Sequence, residues 1–216
     1  MCSARQIRSV TKSELKHGSA AKQPGSTVDP YDYYQWRKVS IEINGRHYLL
    51  ALKAGLPDLD DFLPADKLLI KAITSIEGLG DTSASVKQKR AINLTSGAGL
   101  VSTVLVKNGL VTDSFDDNVI ALDATKRTAA WNGIADYTID READAPEKYD
   151  IAVIRAPKGR EVARRLLVSA AYFLKPGGKL YLAGPNQGGI KSVIKDASEI
   201  FGGVTLLDMK SSNRVA

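Results

Sequence analysis

Apolar and polar residues alternate with two different periods along this chain. In the first part, polar and apolar side chains alternate over 38–43, as they do in a half-buried strand. Asn44-Gly45 is a strong two-residue turn signal, and residues 46–52 return as the partner strand. The sequence therefore predicts an antiparallel β-hairpin ahead of the main body of the chain.

A helical pattern follows this hairpin. Apolar side chains recur over 61–76 at the spacing of one helix face, and Pro64 is suited to the first turn of that helix. A polar segment at 78–89 then separates the helix from the rest. The expected organisation is a basic tail over 1–28, a hairpin and helix over 29–89, and a main domain over 90–216.

From residue 90 onward, short apolar runs alternate regularly with helix-compatible segments. The run at 149–154 is apolar except for Asp150, which is typical of a strand buried on both faces. This alternation predicts an α/β fold with a mostly parallel sheet, helices on both faces and ligands at the carboxyl ends of the strands. The predicted strands are 91–94, 119–122, 137–139, 149–154, 179–183 and 204–207, and the predicted helices are 100–108, 125–132, 160–174 and 190–201.

The charge distribution adds a preference for a polyanionic partner. The 216 residues carry a net charge of +6, which favours nucleic acid. Residues 1–28 combine several Arg, Lys and Ser with a single acid, Glu14. That composition fits an organelle transit peptide, and hence a plastid or mitochondrial location, and it equally fits a disordered basic tail that could touch RNA. Without such a leader the expected location is the cytoplasm.

The inventory of reactive side chains excludes several kinds of site. Cys2 is the single cysteine, so a disulfide framework and a multi-cysteine metal site are excluded. His17 and His47 are not grouped with carboxylates at metal-ligand spacing, and neither has a partner for a Ser or Cys nucleophile. No apolar run approaches the roughly 18 residues of a membrane span. We therefore expect no metal and no membrane span.

The turn after the 91–94 strand is a candidate nucleotide loop. It carries Gly97 and Gly99 and leads into a helix. Glycines let the backbone approach a ligand, and a helix N-terminus offers free N–H groups to it. The alternative is a tight turn that binds nothing.

Two acids follow the next predicted strands. Asp123 ends the 119–122 strand, where it would accept hydrogen bonds from a ribose, and it could also cap the helix that follows. Asp140 ends the third strand, where it would face an adenine amino group or lie in solvent beside Arg141.

Cations follow the later strands at the same predicted edge of the sheet. Lys158 and Arg160 come after the central strand, Arg164 continues along the next helix, and Lys191 lies near another helix N-terminus. These side chains are candidates for contacts with RNA phosphates or another anion. The alternative is a solvated helix face and a flexible loop.

These segments together resemble a class I S-adenosylmethionine-dependent methyltransferase. More narrowly they resemble the "methyltransferase small" group, which includes ribosomal RNA guanine-N2 methyltransferases. The Pro-Lys-Gly and Gly-Pro-Asn segments look most like the non-catalytic, duplicated N-terminal half of that group. The likeness rests on 57–69, 93–99, Asp123, 149–153, 157–159, 174–182, 184–186 and 189–192.

The resemblance implies a Rossmann-like, seven-stranded sheet with the methyl donor lying across its first two strands. Thr95, Gly97 and Gly99 would face the methionine part of S-adenosylmethionine, Asp123 its ribose and Asp140 its adenine. The acceptor would be RNA, with ribosomal RNA as the implied class.

The sequence departs from the family at the acceptor turn. Active members place Asn or Asp, two prolines and an aromatic residue after the fourth strand, and this chain has Arg155-Ala156-Pro157-Lys158. The donor loop also lacks its acid and its first glycine, so no catalytic residue is assigned. Two hypotheses follow: a methyltransferase-family protein associated with RNA, which could be active or degenerate, or a non-catalytic subunit of a larger organellar complex that retains the fold.

Overall fold

A computed structural model describes residues 34–79, 89–135, 138–140 and 146–216. The basic tail over 1–28 lies outside the described residues. The elements in chain order are β1 (Arg37–Ile43), β2 (Arg46–Leu52), α1 (Leu59–Ile76), β3 (Arg90–Asn93), α2 (Leu100–Lys107), β4 (Val111–Phe115), α3 (Val119–Trp131), β5 (Ile139–Asp140), β6 (Tyr149–Arg155), α4 (Arg160–Phe173), β7 (Leu174–Pro185), a 3-10 turn (Asn186–Gly188), α5 (Ile190–Phe201), β8 (Asp208–Lys210) and β9 (Asn213–Val215).

Seven strands form one sheet within the described part of the chain, in the order β5-β4-β3-β6-β7-β9-β8. The strands from β3 to β7 are parallel, and β9 runs antiparallel to both β7 and β8. β6 lies in the middle of the sheet, as its apolar sequence predicted. Together with the separate β1–β2 hairpin, this confirms the predicted Rossmann-like α/β class.

Two apolar clusters cover the opposite faces of the sheet. Side chains alternate along β6, so Ile151 and Val153 enter one cluster while Ala152 and Ile154 enter the other. The first cluster also contains the hairpin, α1 and α2, and the second contains α4 and α5. The hairpin and α1, expected as an N-terminal unit, therefore share a core with the sheet.

α3 closes the free edge of β2. The Thr128 hydroxyl oxygen accepts a hydrogen bond from the Ala51 N–H at 2.9 Å. The Asn132 side chain accepts from the Leu49 N–H at 3.1 Å and donates to the Leu49 carbonyl at 2.8 Å. Because unpaired strand edges attract other strands, these two side chains both protect the edge and fix α3 against the hairpin.

The second strand of the sheet was predicted in the wrong place. Residues 119–122 form the first turn of α3, and the actual strand is β4. The Asn118 side chain accepts from the Ile120 N–H at 2.9 Å, which caps a helix there. β4 escaped detection because its middle residues, Thr112, Asp113 and Ser114, are polar although they are buried. The helix predicted at 125–132 is the later part of α3.

Two other predicted boundaries differ from the structure. Residues 204–207 are not a strand, and the last strands are β8 and β9 instead. Val204 and Leu206 are exposed, so the apolar pattern there does not mark a buried strand. Pro64 lies inside α1, because that helix begins earlier, at Leu59.

A buried carboxylate joins the end of α1 to β7. Glu77 is only 2% exposed and accepts hydrogen bonds from Lys89 at 2.6 Å, from Lys179 at 2.9 Å and from the Tyr181 hydroxyl. Burial raises the pKa of Glu77, but these hydrogen bonds outweigh burial and hold that pKa below its ordinary value. The ionised form of Glu77 therefore stabilises the packing of α1 on the sheet.

We expect Glu77→Gln to lower the free energy of unfolding by about 1–3 kcal/mol at pH 7, since the buried carboxylate loses its charge-assisted hydrogen bonds to two partly exposed ammonium groups. Because the folded pKa is lowered, the loss should shrink as the pH falls below the ordinary value of 4.5. Urea unfolding at pH 7 and pH 3 measures both effects. Glu199→Gln, at an exposed ion pair, is the control and should change little. A loss of the same size at both pH values would contradict the electrostatic role.

Candidate functional site

A cleft of about 940 Å³ opens at the carboxyl ends of β3, β4 and β6 and is bordered by α1. This is the edge at which parallel α/β sheets bind their ligands. The residues most relevant to its chemistry are Phe62, Thr95, Gly97, Asp116, Arg155 and Lys158.

The end of β3 faces into the protein instead of the cleft. The Asn93 amide is buried and donates to the Ser102 hydroxyl at 2.9 Å, and the Asn93 oxygen accepts from the Thr95 N–H at 3.1 Å. Ser114 on β4 donates to the same Ser102 hydroxyl at 2.7 Å. Asn93 therefore supports the loop from below and does not reach a ligand.

The glycine loop is held rigidly from the side of β4 and α3. Asp116 accepts from the Gly97 N–H and from the Asn118 N–H, both at 2.9 Å. Gly99 has a φ of +78°, and a Cβ on it would lie 2.9 Å from the Thr125 Cα. Gly97 thus lines the cleft, whereas Gly99 is needed for the close approach of α3.

The Arg155 side chain lies over the loop. Its guanidinium pairs with both Asp66 carboxylate oxygens at 3.2 and 3.3 Å and lies 5.2 Å from the centre of the Phe62 ring. A Cβ on Gly97 would be 2.5 Å from the Arg155 Nη2. The Arg155 N–H also donates to the Thr95 hydroxyl at 2.7 Å. One residue at the end of β6 therefore covers Gly97 and occupies the hydroxyl of Thr95.

The Arg155–Asp66 pair is almost completely enclosed. The two side chains are 16% and 4% exposed. Burial raises the pKa of Asp66, and the Arg155 guanidinium opposes this rise without cancelling it. The pair fixes a guanidinium at the cleft wall, and its carboxylate is already occupied by that guanidinium.

Asp123 does not lie in the cleft. Because residues 119–122 are helical, Asp123 is on the outer part of α3, where it forms a half-exposed ion pair with Arg127 at 3.4 Å. The acid that follows the second strand and lines the cleft is Asp116. Its sequence signal is the Asp116-Asp117 pair after a run with β-branched residues, but the apolar run at 119–122 was the stronger pattern.

Asp140 ends β5 opposite Phe115, and its contact with adenine stays a prediction.

The predicted cations fall into two groups. Arg160 binds the fully buried Asp196 through two hydrogen bonds of 2.9 and 2.6 Å, and Arg164 lies 3.8 Å from the same carboxylate. These two residues join α4 to α5, which is a structural use of their charge. Lys158 lines the cleft and Lys191 is exposed at the start of α5, and no hydrogen bond or ion pair engages either within the described residues.

Comparison with known proteins shows what this chain resembles. Residues 111–210, slightly less than half of the chain, match the family model described as "Methyltransferase small domain N-terminal". Over that segment the chain is similar to the small-type S-adenosylmethionine-dependent methyltransferases. Two ribosomal RNA small subunit methyltransferases C are similar: one from Shewanella sp. is 45% identical over 56 residues, 26% of this chain and 16% of that protein. The other, from Alcanivorax borkumensis, is 28% identical over 104 residues, 44% of this chain and 32% of that protein.

Solved structures agree with this family. A T. thermophilus 16S rRNA methyltransferase, in complex with AdoMet and guanosine, has a TM-score of 0.59 and 26% identity, over 83% of this chain and 43% of that one. A ribosomal protein L11 methylase from Lactobacillus delbrueckii, at 19% identity and a TM-score of 0.52, covers 76% of this chain and 82% of its own and shares the fold. The chain thus spans less than half the length of its ribosomal RNA methyltransferase relatives.

The cleft fits the two ends of S-adenosylmethionine unequally. Asp116 lies where a ribose-binding acid is expected, and each of its carboxylate oxygens already accepts one backbone N–H, from Gly97 and Asn118. At the methionine end, the Gly97 N–H and the Thr95 hydroxyl are already bonded within the protein, and the Arg155 cation covers the loop. The charge of that guanidinium is balanced at the cleft wall by the Asp66 carboxylate. The methionine end of the cleft therefore presents polar groups that are already engaged within the protein.

Other kinds of site find no support in the described ranges. No group of three or more His, Cys, Asp or Glu side chains there could hold a metal ion. Among the same residues, no helix is both long and apolar enough to cross a membrane.

We expect a double-mutant cycle on the pair to show strong coupling. Asp66→Ala or Arg155→Ala should each lower the free energy of unfolding by about 3 kcal/mol, because each leaves a buried charge unpaired. The double variant should lose clearly less than the sum of the two, with a coupling energy of about 1–3 kcal/mol. Denaturant unfolding measures the cycle. Asp61→Ala, at an exposed acid on the same helix, is the control, and additive losses would show that the pair is not coupled.

Proposed function

We propose that this chain is an RNA-binding domain that works on ribosomal RNA without transferring a methyl group itself. The observation that carries this proposal is the Arg155–Asp66 pair, which occupies the acceptor side of the cleft and covers Gly97.

Methyl transfer to an amine sets conditions that this wall does not meet. The amine must lie in line with the donor methyl at about 3–3.5 Å, and a neighbouring group must accept its hydrogens. Residues 155–158 offer a guanidinium, a methyl group, a proline ring and an ammonium group. None of these side chains accepts a hydrogen bond, and a fixed cation disfavours an amine that must lose a proton.

The net charge of the chain and its similarity to known proteins support RNA as the partner. Proteins similar to this chain in sequence are named as ribosomal RNA methyltransferases, and one similar solved structure is described as a complex with guanosine. The chain has a net charge of +6, and Lys158 and Lys191 have no acidic partner among the described residues. Lysines of this kind contact phosphates without reading sequence.

The nucleoside end of the cleft favours a second candidate function. The rigid glycine loop, Asp116 and a cavity of about 940 Å³ are features of a donor site. On that evidence the candidate is a donor-binding methyltransferase whose acceptor is not a guanine amine. The organellar location and the larger complex stay predictions from the sequence.

Titration with S-adenosylmethionine separates the two candidates. We expect no saturable binding to the wild-type chain in calorimetry at millimolar donor, because Arg155 covers the loop. The Arg155→Ala/Asp66→Ala double variant should gain measurable binding, which Asp116→Ala should then remove. Tight wild-type binding that is lost in Asp116→Ala would refute the donor-free proposal and establish the second candidate.

Binding to a short ribosomal RNA hairpin, followed by fluorescence anisotropy, tests the RNA assignment. We expect log K to fall linearly with log salt concentration, as counterions are released from phosphates. Lys158→Gln and Lys191→Gln should each lower the magnitude of that slope by about 0.7–0.9. Lys107→Gln, at the opposite end of α2, is the control. An affinity that does not change with salt would argue against phosphate contacts.

A further inference from the structure

Both tryptophans of the chain lie on one surface between the hairpin and α3, and cations cover both of their rings. The Arg127 guanidinium is 4.7 Å from the centre of the Trp36 ring, and the Lys53 ammonium is 5.2 Å from the same ring. The Lys38 ammonium lies 5.0 Å from the Trp131 ring. We name these five residues, Trp36, Lys38, Lys53, Arg127 and Trp131, the tryptophan surface.

The fold sets the spacing of this surface. Trp36 immediately precedes β1 and Lys38 is its second residue, so an extended backbone places these two side chains on the same side. Arg127 and Trp131 are four residues apart on α3, so they share one helix face. At the boundary between the hairpin and α3, each element therefore contributes one ring and one cation, and each ring meets the cation of the other element. The hydrogen bonds of Thr128 and Asn132 to β2 hold α3 in place against the hairpin.

The surroundings of the two rings are basic. Arg37 and Lys126 are exposed beside them, and Lys38 and Arg127 are exposed as well. One acid touches this surface, because the Asp123 carboxylate lies 3.4 Å from the Arg127 guanidinium. Trp36 and Trp131 are only half-buried, so part of each ring remains accessible to a ligand.

This arrangement suits a ligand that is both a polyanion and a source of flat rings. An exposed cation gains little from a ring, whereas a nucleic-acid base that stacks on an indole gains more. When RNA arrives, Lys38, Lys53 and Arg127 can turn to its phosphates while bases take their places on the rings. An acidic peptide would use the cations but would leave the indole faces unused.

We propose that the tryptophan surface stacks unpaired bases of single-stranded RNA. The proposal rests on the proposed function, since it names the surface by which this chain binds RNA. α3 also leads from this surface to the cleft, because Asn118 and Ala121 at its start are among the cleft residues. Single-stranded RNA stacked on the two indole rings would thus lie beside α3, the helix that supports the glycine loop.

Intrinsic fluorescence reads this surface directly, because the full chain has no tryptophan elsewhere. We expect an oligouridylate of about 12 nucleotides to quench the emission saturably, since a stacked base quenches an indole. Poly-L-glutamate of matched charge should quench little. This measurement needs no variant and does not depend on how well any variant folds.

Substitutions then locate the contact. Trp36→Ala and Trp131→Ala should each weaken oligouridylate binding by about tenfold or more, while Trp36→Phe should retain most of it because the ring remains. Lys38→Gln should reduce the salt slope by about 0.7. Tyr172→Ala, at an exposed aromatic residue on α4, is the matched control and should bind like the wild type.

The outcomes separate this inference from the proposed function. Salt-dependent RNA binding could persist although oligouridylate does not quench the emission and both alanine variants bind normally. That result would overturn the stacking role of the tryptophan surface and would leave the proposed function standing. If the wild-type chain binds no RNA, both fall. Equal quenching and equal affinity with poly-L-glutamate would assign the surface to an acidic protein segment and overturn the RNA assignment.

Discussion

The buried ion pair between Arg155 and Asp66 is the interaction on which the arrangement of this cleft depends. It joins the end of the central strand β6 to α1, which precedes the sheet in the chain, and it brings the guanidinium against Gly97. Neither charge is stable alone at such low exposure, so each requires the other. The helix, the strand end and the glycine loop are therefore fixed as one unit.

That unit holds the cleft of the fold in place without any ligand. The backbone features of the fold remain, because β3, the loop and α2 are held by hydrogen bonds that need no ligand, such as those of Asn93, Asp116 and Thr125. Under the proposed function, a structural cation stands where the donor methyl and an amine would meet. Under the same proposal, RNA is bound through phosphate and base contacts outside that centre.

Charges elsewhere show the same division between structure and binding. Arg160 and Arg164 are committed to the buried Asp196, and Lys179 and Lys89 are committed to Glu77. The net positive charge is consequently a poor guide to which cations are available to a ligand. Two groups of cations are available to a ligand. Lys158 and Lys191 have no carboxylate partner among the described residues. Lys38, Lys53 and Arg127 lie against the indole rings beside the hairpin.

The sequence by itself determined the hairpin, α1, the central strand, α4 and α5, because their apolar periods are long and agree with their turn residues. It also determined that 155–158 lack an amine acceptor. Only the tertiary structure decided which acid lines the cleft, because β4 is a short strand whose buried side chains are polar and are satisfied by partners elsewhere in the fold, such as Ser102 and Tyr149. It likewise decided the partner of Arg155 and the meeting of Trp36 with Arg127, since these residues are 89 and 91 positions apart and no local pattern links them.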